Sequence, residues 1–491
     1  VAGWKNRLKK IWQGWDMSAD PQITEYGKIR GDFSKNQLAD LCLEKIGVQT
    51  GPFGSQLHNE DYVEVGTPII TVEHLGDNRI LHQNTPFVSD KDKERLSKYH
   101  LQNGDIVFSR VGSVDRRALV RKSENGWLFS GRCLRVRVDK SKIDPTYLSY
   151  FFGLEYFRNY IRSIAVGATM PSINTKILSD VPIYYPNLDE QKIIANILCS
   201  LDDKIELSRQ INQTLEQMAQ AIFKSWFVDF EPVKAKIEAK KNGQDPERAA
   251  MSTISGKTDA ELDHLPPVQL VQLTTTAALF PNELVDSKLG LIPKGWEVKP
   301  LDKIAHYQNG LALQKFRPEN EADFLPVVKI AQLKAGVATT DEKASPNIKP
   351  SCIIDNGDVV FSWSGSLMVD LWCGGKAALN QHLFKVTSDS YPKWFYYLWT
   401  KHHLAVFQQI AADKAVTMGH IKRSHIKEAL CAVSNVDFGV FDLIDKLLFK
   451  QIESRLECVT LTKLRDTLLP KLLSGEISVG KTKTTNEEMA V

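Results

Sequence analysis

Gly104-Asp105-Ile106-Val107-Phe108-Ser109-Arg110-Val111-Gly112-Ser113 is answered later in the chain by Gly357-Asp358-Val359-Val360-Phe361-Ser362-Trp363-Ser364-Gly365-Ser366. Seven of the ten positions are identical, at an offset of 253 residues. Upstream, Pro68-Ile69-Ile70 with Leu75 matches Pro326-Val327-Val328 with Leu333 at offset 258, and Gly27, Ile29 and Leu38 match Gly290, Ile292 and Leu301 at offset 263. Downstream, Thr169-Met170 matches Thr417-Met418 at offset 248. Thr214, Leu215, Met218 and Ile222 match Thr460, Leu461, Leu464 and Leu468 at offset 246. The offset falls steadily along the chain. Two copies of one domain with slightly different loop lengths produce that drift, whereas chance matches scatter.

Each copy reads in two parts. The first is a region of short apolar runs and turn signals. Ile106-Val107-Phe108 and Val359-Val360-Phe361 are expected as buried strands, each after a Gly-Asp turn. Tyr147 to Tyr160 and Trp394 to Gln408 read as short helices. The second part is a long helix. Asp189 can cap one running through Leu201, Ile205, Leu215, Met218, Ile222 and Trp226, with no Pro or Gly between 187 and 230. Its counterpart runs from about Phe441 through Leu447, Leu461, Leu464 and Leu468 to Pro470. A helix of ~38 residues would be ~57 Å long, and one alone cannot bury its apolar stripe. The expected fold class is therefore α+β, with two pseudo-repeated α/β domains joined by two long antiparallel helices in an intramolecular coiled coil. The alternative is two independent core helices. The connector at 232–286 carries Asn242-Gly243 and Pro266-Pro267, which break regularity, so partial disorder and protease sensitivity are expected there.

The 491 residues exceed one compact core and suggest two or three domains. The chain is 43% hydrophobic and 25% charged, an ordinary globular composition. Its net charge of +3 excludes a general polycation, so any nucleic-acid contact must come from local patches. No run of 18 apolar residues occurs, so no membrane span is expected. Seven scattered cysteines without a C-x-x-C argue against a disulfide framework or a structural zinc site, and a reducing cytoplasm fits. His402 and His403 are read as surface residues. The segment 1–23 is an N-terminal extension, either disordered or upstream of a start at Met17. Its Trp4, Leu8, Ile11, Trp12 and Trp15 alternatively form a membrane- or partner-binding helix face.

Two motifs promise chemistry that their surroundings deny. Gly475-Glu476-Ile477-Ser478-Val479-Gly480-Lys481-Thr482 fits the phosphate-binding loop pattern, but a helix precedes it and only nine polar residues follow it. Asp229 with Glu238-Ala239-Lys240 mimics a metal-dependent nuclease, but these residues sit at a helix end and in a lysine-rich connector. No dinucleotide, hydrolase, zinc-protease or adenine-methylating motif occurs. Together these point to a chain without a catalytic or metal site.

Residues 110 to 140 hold nine Lys and Arg against three acids. Arg110, Arg116, Arg117, Arg132 and Arg135, with Ser109 and Ser113, are the first candidate DNA-binding set, because phosphates reward basic patches through counterion release and arginine forks onto guanine. Thr169, Asn174 and Lys176 extend the set. The second copy offers Ser362, Trp363 and Ser366, then Thr417, His420, Lys422 and Arg423. Two like frames with unlike polar residues suggest readers of two different targets. The alternatives are a solvated strand pair with alternating charges and loops that merely diverged.

Four stretches resemble the specificity subunits of type I restriction–modification systems. Thr50-Gly51-Pro52-Phe53-Gly54-Ser55-Gln56-Leu57 resembles the opening of a target recognition domain. Leu188-Asp189-Glu190-Gln191-Lys192-Ile193-Ile194-Ala195 and Lys224-Ser225-Trp226-Phe227-Val228-Asp229-Phe230-Glu231-Pro232 resemble the two ends of the first conserved helical region. Leu468-Leu469-Pro470-Lys471-Leu472-Leu473-Ser474-Gly475-Glu476-Ile477 resembles the end of the second. Leu289-Gly290-Leu291-Ile292-Pro293-Lys294-Gly295-Trp296 is similar to the usual start of a second recognition domain. The second helix departs from the pattern, opening with Phe438-Gly439-Val440-Phe441-Asp442.

The resemblance implies target recognition domains at 24–187 and 287–436, spacer helices at 188–231 and 437–474, and a flexible tail at 475–491. It implies a DNA reader that is not itself an enzyme. Each domain would read one half of a bipartite, asymmetric site in double-stranded DNA, with the helices as a ruler for the unread gap. Two modification (methyltransferase) subunits would dock on the chain, with two restriction–translocase subunits as an optional addition. S-adenosylmethionine, ATP and Mg²⁺ would belong to those partners, and none would be bound by this chain. The competing functions are a nuclease or methyltransferase with an unrecognised site, and a coiled-coil interaction protein without DNA.

Overall fold

The computed structural model describes residues 21–53, 56–413, 419–435 and 438–479. The N-terminal extension up to residue 20 lies outside the described residues, as does the tail from residue 480. Two compact units form. One combines the described residues up to Lys204 with those from Leu461 onward, and the other the described residues of Ile205–Thr460.

The first unit is built on an antiparallel sheet ordered Val48–Thr50, Cys133–Val136, Ile106–Ser109 and Arg117–Leu119. Its central strand is buried throughout. Ile106 and Phe108 enter a core shared with Tyr147, Phe151 and Phe157. Val107 enters a second core with Ile69, Ile70 and Phe129. Burial on both faces is why the run reads as continuously apolar rather than alternating. A smaller sheet flanks it, with Ile69 and Ile70 paired in parallel to Leu128 and Phe129.

The second unit repeats the plan. His306–Asn309, Leu383–Thr387, Val359–Ser362 and Met368–Leu371 form the same antiparallel order. Val359 and Phe361 face one core with Trp394 and Phe395, and Val360 faces another with Val328 and Leu379. Val327 and Val328 pair in parallel with Ala378 and Leu379. The shared registers confirm the duplication at the level of individual hydrogen bonds. The repeated Gly-Asp has a clear cause. Gly104 and Gly357 take φ of +96° and +85°, which a side chain disfavours. Asp105 then accepts from the Gln102 amide and from Arg137, and Asp358 from the Asp355 amide and Lys385.

The first long helix spans Leu188–Phe223, 36 residues or ~54 Å, and ends in a π-turn at Lys224–Val228. The second spans Asp442–Leu473. They run antiparallel in both units. In the first unit, Arg465 pairs with Asp202 at 2.9 Å, and Leu198 and Leu201 share a core with Leu468 and Leu472. In the second, Gln451 donates to Glu216 at 2.6 Å, Ser454 Oγ to the Ser208 carbonyl and Cys458 Sγ to that of Ile205.

Of the helix positions read from the sequence, Leu201, Ile205 and Leu468 are buried. Leu447, Leu461, Leu464 and Ile222 are half-buried against the cores, and Leu215 is half-buried. Met218 departs from the expectation. It is 46% exposed, because Ala219 and Phe223 occupy the inward positions beside it.

The connector is also ordered, contrary to expectation. It forms helices at Glu231–Lys241, Pro246–Ser255, Asp259–Leu262 and Pro267–Ala278. Pro232, Pro246 and Pro267 sit in first helical turns, where no amide is needed and the fixed φ favours the helix. Ala250, Met251, Leu262 and Ala277 form its small core, and buried Lys236 pairs with Glu247 at 2.6 Å. His402 is exposed, as read from the sequence, whereas His403 is half-buried. His403 stacks on Trp399, Nε2 meets the Leu430 carbonyl at 3.1 Å, and burial pushes its pKa down to about 4. All seven cysteines are free thiols. Among the described residues no helix is long and apolar enough to cross a membrane.

Candidate nucleic-acid interface

In each unit the loop after the central strand is tied to a segment far along the sequence. In the first, the Gly112 amide donates to the Pro171 carbonyl at 2.8 Å, and the Ile173 amide to Arg110 at 2.9 Å. In the second, Gly365 donates to Gly419 at 2.9 Å, and Ile421 to Trp363 at 3.0 Å. A third strand closes both loops, since the Arg110 amide bonds the Arg132 carbonyl and the Trp363 amide that of His382. The repeated frame thus gathers three separate segments at one edge of the central strand.

The side chains divide into those that build the frame and those that face outward. Ser109 and Ser362 are wholly buried. Their hydroxyls donate to the Val111 and Ser364 carbonyls at 2.8 and 3.1 Å, so they shape the turn and cannot touch DNA. Arg117 and Arg135 are also withdrawn from the direct-contact set. Arg117 donates to the Ser149 carbonyl, and Arg135, 1% exposed, to that of Ile46. Burial, reinforced by nearby Arg137, pushes the Arg135 pKa down to about 10. The strands Arg117–Leu119 and Cys133–Val136 are buried at every position, so an arginine within either is withdrawn from solvent whichever face it occupies.

Arg116 is half-buried and donates to the Leu75 carbonyl. Arg110, also half-buried, reaches the Gly131 carbonyl and Thr50 Oγ1 at 3.3 and 3.4 Å, with its guanidinium 6.0 Å from the Phe53 ring. Arg132, Ser113, Thr169 and Lys176 are exposed. Asn174 is exposed but already employed, capping the helix Thr175–Ser179 through the Ile177 amide. In the second unit Ser366, His420, Lys422 and Arg423 are exposed. Arg423 donates to the Tyr307 carbonyl and lies over Phe384. Trp363 is half-buried between the rings of His382, Phe384 and His420. Thr417 lies outside the described residues.

Two glycines have a packing role that the sequence reading did not assign, Gly51 entering it only within the stretch Thr50 to Leu57. A Cβ on Gly51 would stand 2.2 Å from the Ser130 carbonyl, and one on Gly310 2.2 Å from that of Leu379. Close backbone approach therefore requires glycine at both positions. The signal was available as Gln49-Thr50-Gly51 against Gln308-Asn309-Gly310. The nuclease mimic does not converge: Asp229 pairs with Lys224 and Glu238 with Lys241. Among the described residues no His, Cys, Asp and Glu cluster could hold a metal. Gly475 ends the second long helix at φ +75°, and the Lys481-Thr482 pair lies outside the described residues.

This duplicated frame coincides with a known family signature. The model of the type I restriction modification DNA specificity domain matches residues 35–217 and 293–429, one copy each. The chain belongs to this family. The type I specificity domain is a non-catalytic part of its system, the chemistry residing on other subunits. The chain is 30% identical to the HindI specificity subunit of Haemophilus influenzae, over 84% of this chain and 95% of that one. It is 24% identical to the MjaIX specificity subunit of Methanocaldococcus jannaschii, over 93% and 96%. A crystal structure of a type I restriction–modification S subunit from M. genitalium shares the fold. Its TM-score is 0.51 at 15% identity, covering 92% of this chain and 99% of that one. Each half of the type I specificity match contains one complete loop frame.

Proposed function

We propose that the chain reads a bipartite, asymmetric site in double-stranded DNA and directs the partner subunits of a type I complex to it. The carrying observation is one loop frame built twice and furnished differently: Arg110, Ser113, Thr169, Arg132 and Lys176 in one copy, and Trp363, Ser366, His420, Lys422 and Arg423 in the other. Exposed cations position the backbone by contacting phosphates, and polar and aromatic groups at the loops read base edges. A single reader of four base pairs would meet its target roughly every 256 positions, too often among ~10⁶ genomic sites. Two unlike readers in one chain multiply the selectivity. The proposed partners are two methyltransferase subunits and, in a restricting complex, two restriction–translocase subunits in the cytoplasm. S-adenosylmethionine, ATP and Mg²⁺ are assigned to them.

The test is co-expression with a type I modification subunit, followed by genome-wide mapping of N6-methyladenine. Methylation at one split motif, dependent on this chain, is the expected result. A continuous motif, or methylation indifferent to the chain, would overturn the reading. A narrower prediction concerns the exposed cations. Lys176→Ala with Lys422→Ala, exposed cations of the two copies, should weaken DNA binding by the assembled complex and reduce the slope of log K against log salt by ~0.9 for each phosphate no longer neutralised. Anisotropy titrations at several salt concentrations measure it, and an unchanged slope removes both residues from the interface.

A further inference from the structure

Beside each loop frame lies an open cleft, of about 520 Å³ in the first unit and 400 Å³ in the second. Hydrogen bonds show that the two clefts are one feature repeated. The Ser130 amide donates to the Ile70 carbonyl as that of Asn380 does to Val328. The Thr71 amide is capped by the His74 side chain as that of Lys329 is by Gln332. Pro86 and Glu342 precede strands in equivalent registers and accept from Ile69 and Val327.

These registers align the walls residue by residue. Thr71, Glu73 and Pro86 stand where Lys329, Ala331 and Glu342 stand. Ser130, Gly131 and Arg132 become Asn380, Gln381 and His382. None of the six pairs is identical, although the strand and turn directly behind them keep seven of ten residues. Each cleft also adjoins its loop frame, through the Arg110 guanidinium on the Gly131 carbonyl and the Trp363 ring beside His382.

We infer that these clefts are specificity subsites that take base edges of the two half-sites, not backbone phosphate. Phosphate is the same along every sequence, so a phosphate site would keep its donors in both copies and admit no carboxylate. Each cleft instead carries a glutamate. Glu73 is exposed, and Glu342 is paired with Lys329. Carboxylates accept from cytosine N4, and amides such as those of Asn380 and Gln381 fork onto adenine. The inference rests on the DNA-reading function proposed above, and adds residues outside the basic stretch to the reading surface.

The experiment is the methylation map, repeated with the full-length variants Glu73→Ala and Gln381→Ala in the assembled complex. Glu73→Ala should relax one position of one half-site, lowering the base preference there on the order of tenfold. Gln381→Ala should do the same in the other half. The untouched half-site in each case certifies a folded, assembled protein. A wild-type split motif that both variants reproduce at every position would overturn the cleft assignment alone. Absence of any split motif with the wild-type chain would overturn the DNA-reading function itself.

Discussion

Phe227→Ala should cost ~3–5 kcal/mol of unfolding free energy, the range for truncating a fully packed core phenylalanine. Phe227 is wholly buried. Its ring lies 5.1 to 5.7 Å from those of Phe223, Trp296, Trp394, Phe395 and Phe441. It therefore joins the end of the first long helix to the second recognition unit and to the start of the second long helix. The backbone leaves little room for relaxation, since the π-turn is followed by Phe230 at φ +54°, strained for a residue with a side chain. Urea unfolding followed by tryptophan fluorescence measures the loss, and Phe227→Leu should recover part of it. A loss under ~1 kcal/mol would mean that the aromatic cluster can collapse into the space. Trp226, Phe227 and Phe230 of the motif Lys224 to Pro232 are thus the buried part of a junction, while Lys224 and Glu231 face solvent.

Glu216→Ala should cost ~2–3 kcal/mol, below the ~3–5 of a fully buried ion pair because Glu216 and Lys401 are only half-buried. Glu216 lies on the first long helix and accepts from Lys401, from the Tyr397 hydroxyl at 3.1 Å and from Gln451 of the second long helix at 2.6 Å. One carboxylate thus ties both helices of the second unit to its recognition domain. Burial alone would raise its pKa. The Lys401 charge and the hydrogen bonds from Lys401, Gln451 and Gln220 outweigh burial and hold it below the ordinary value. A depressed carboxylate stabilises the fold above its unfolded pKa and loses that contribution as pH falls through its folded pKa. The stability gap between wild type and variant should therefore be full above about pH 5 and shrink below it. Unfolding curves from pH 7 to pH 3 check this, and a gap independent of pH would exclude the ion pair as its source.

The duplication was legible because repeated strands need the same glycine turn and the same two-sided burial. Gly104 with Ile106-Val107-Phe108 could hardly be read otherwise. The long helices were legible because their apolar spacing persists for ten turns. The connector was misread because proline and glycine were taken only as breakers. Pro246 and Pro267 open helices, and Gly256 closes one in a left-handed conformation. The charge excursion at 110–140 was legible as a density but not as a surface. Arg137 went to Asp105, Arg121 to Asp203, and Arg117 and Arg135 went inside.

Sequence alone determined that the chain holds two copies of one domain with paired helices, which are properties of local pattern and periodicity, and its motifs resemble those of type I specificity subunits. Tertiary structure alone decided which of the candidate side chains reach the surface. That choice depends on which face of a strand a residue occupies, and on bonds such as Gly112 to Pro171 and Gly365 to Gly419 that close loops more than fifty residues apart in sequence. Clefts whose walls come from four separate segments have no linear signature. They exist only once the sheet has brought those segments together.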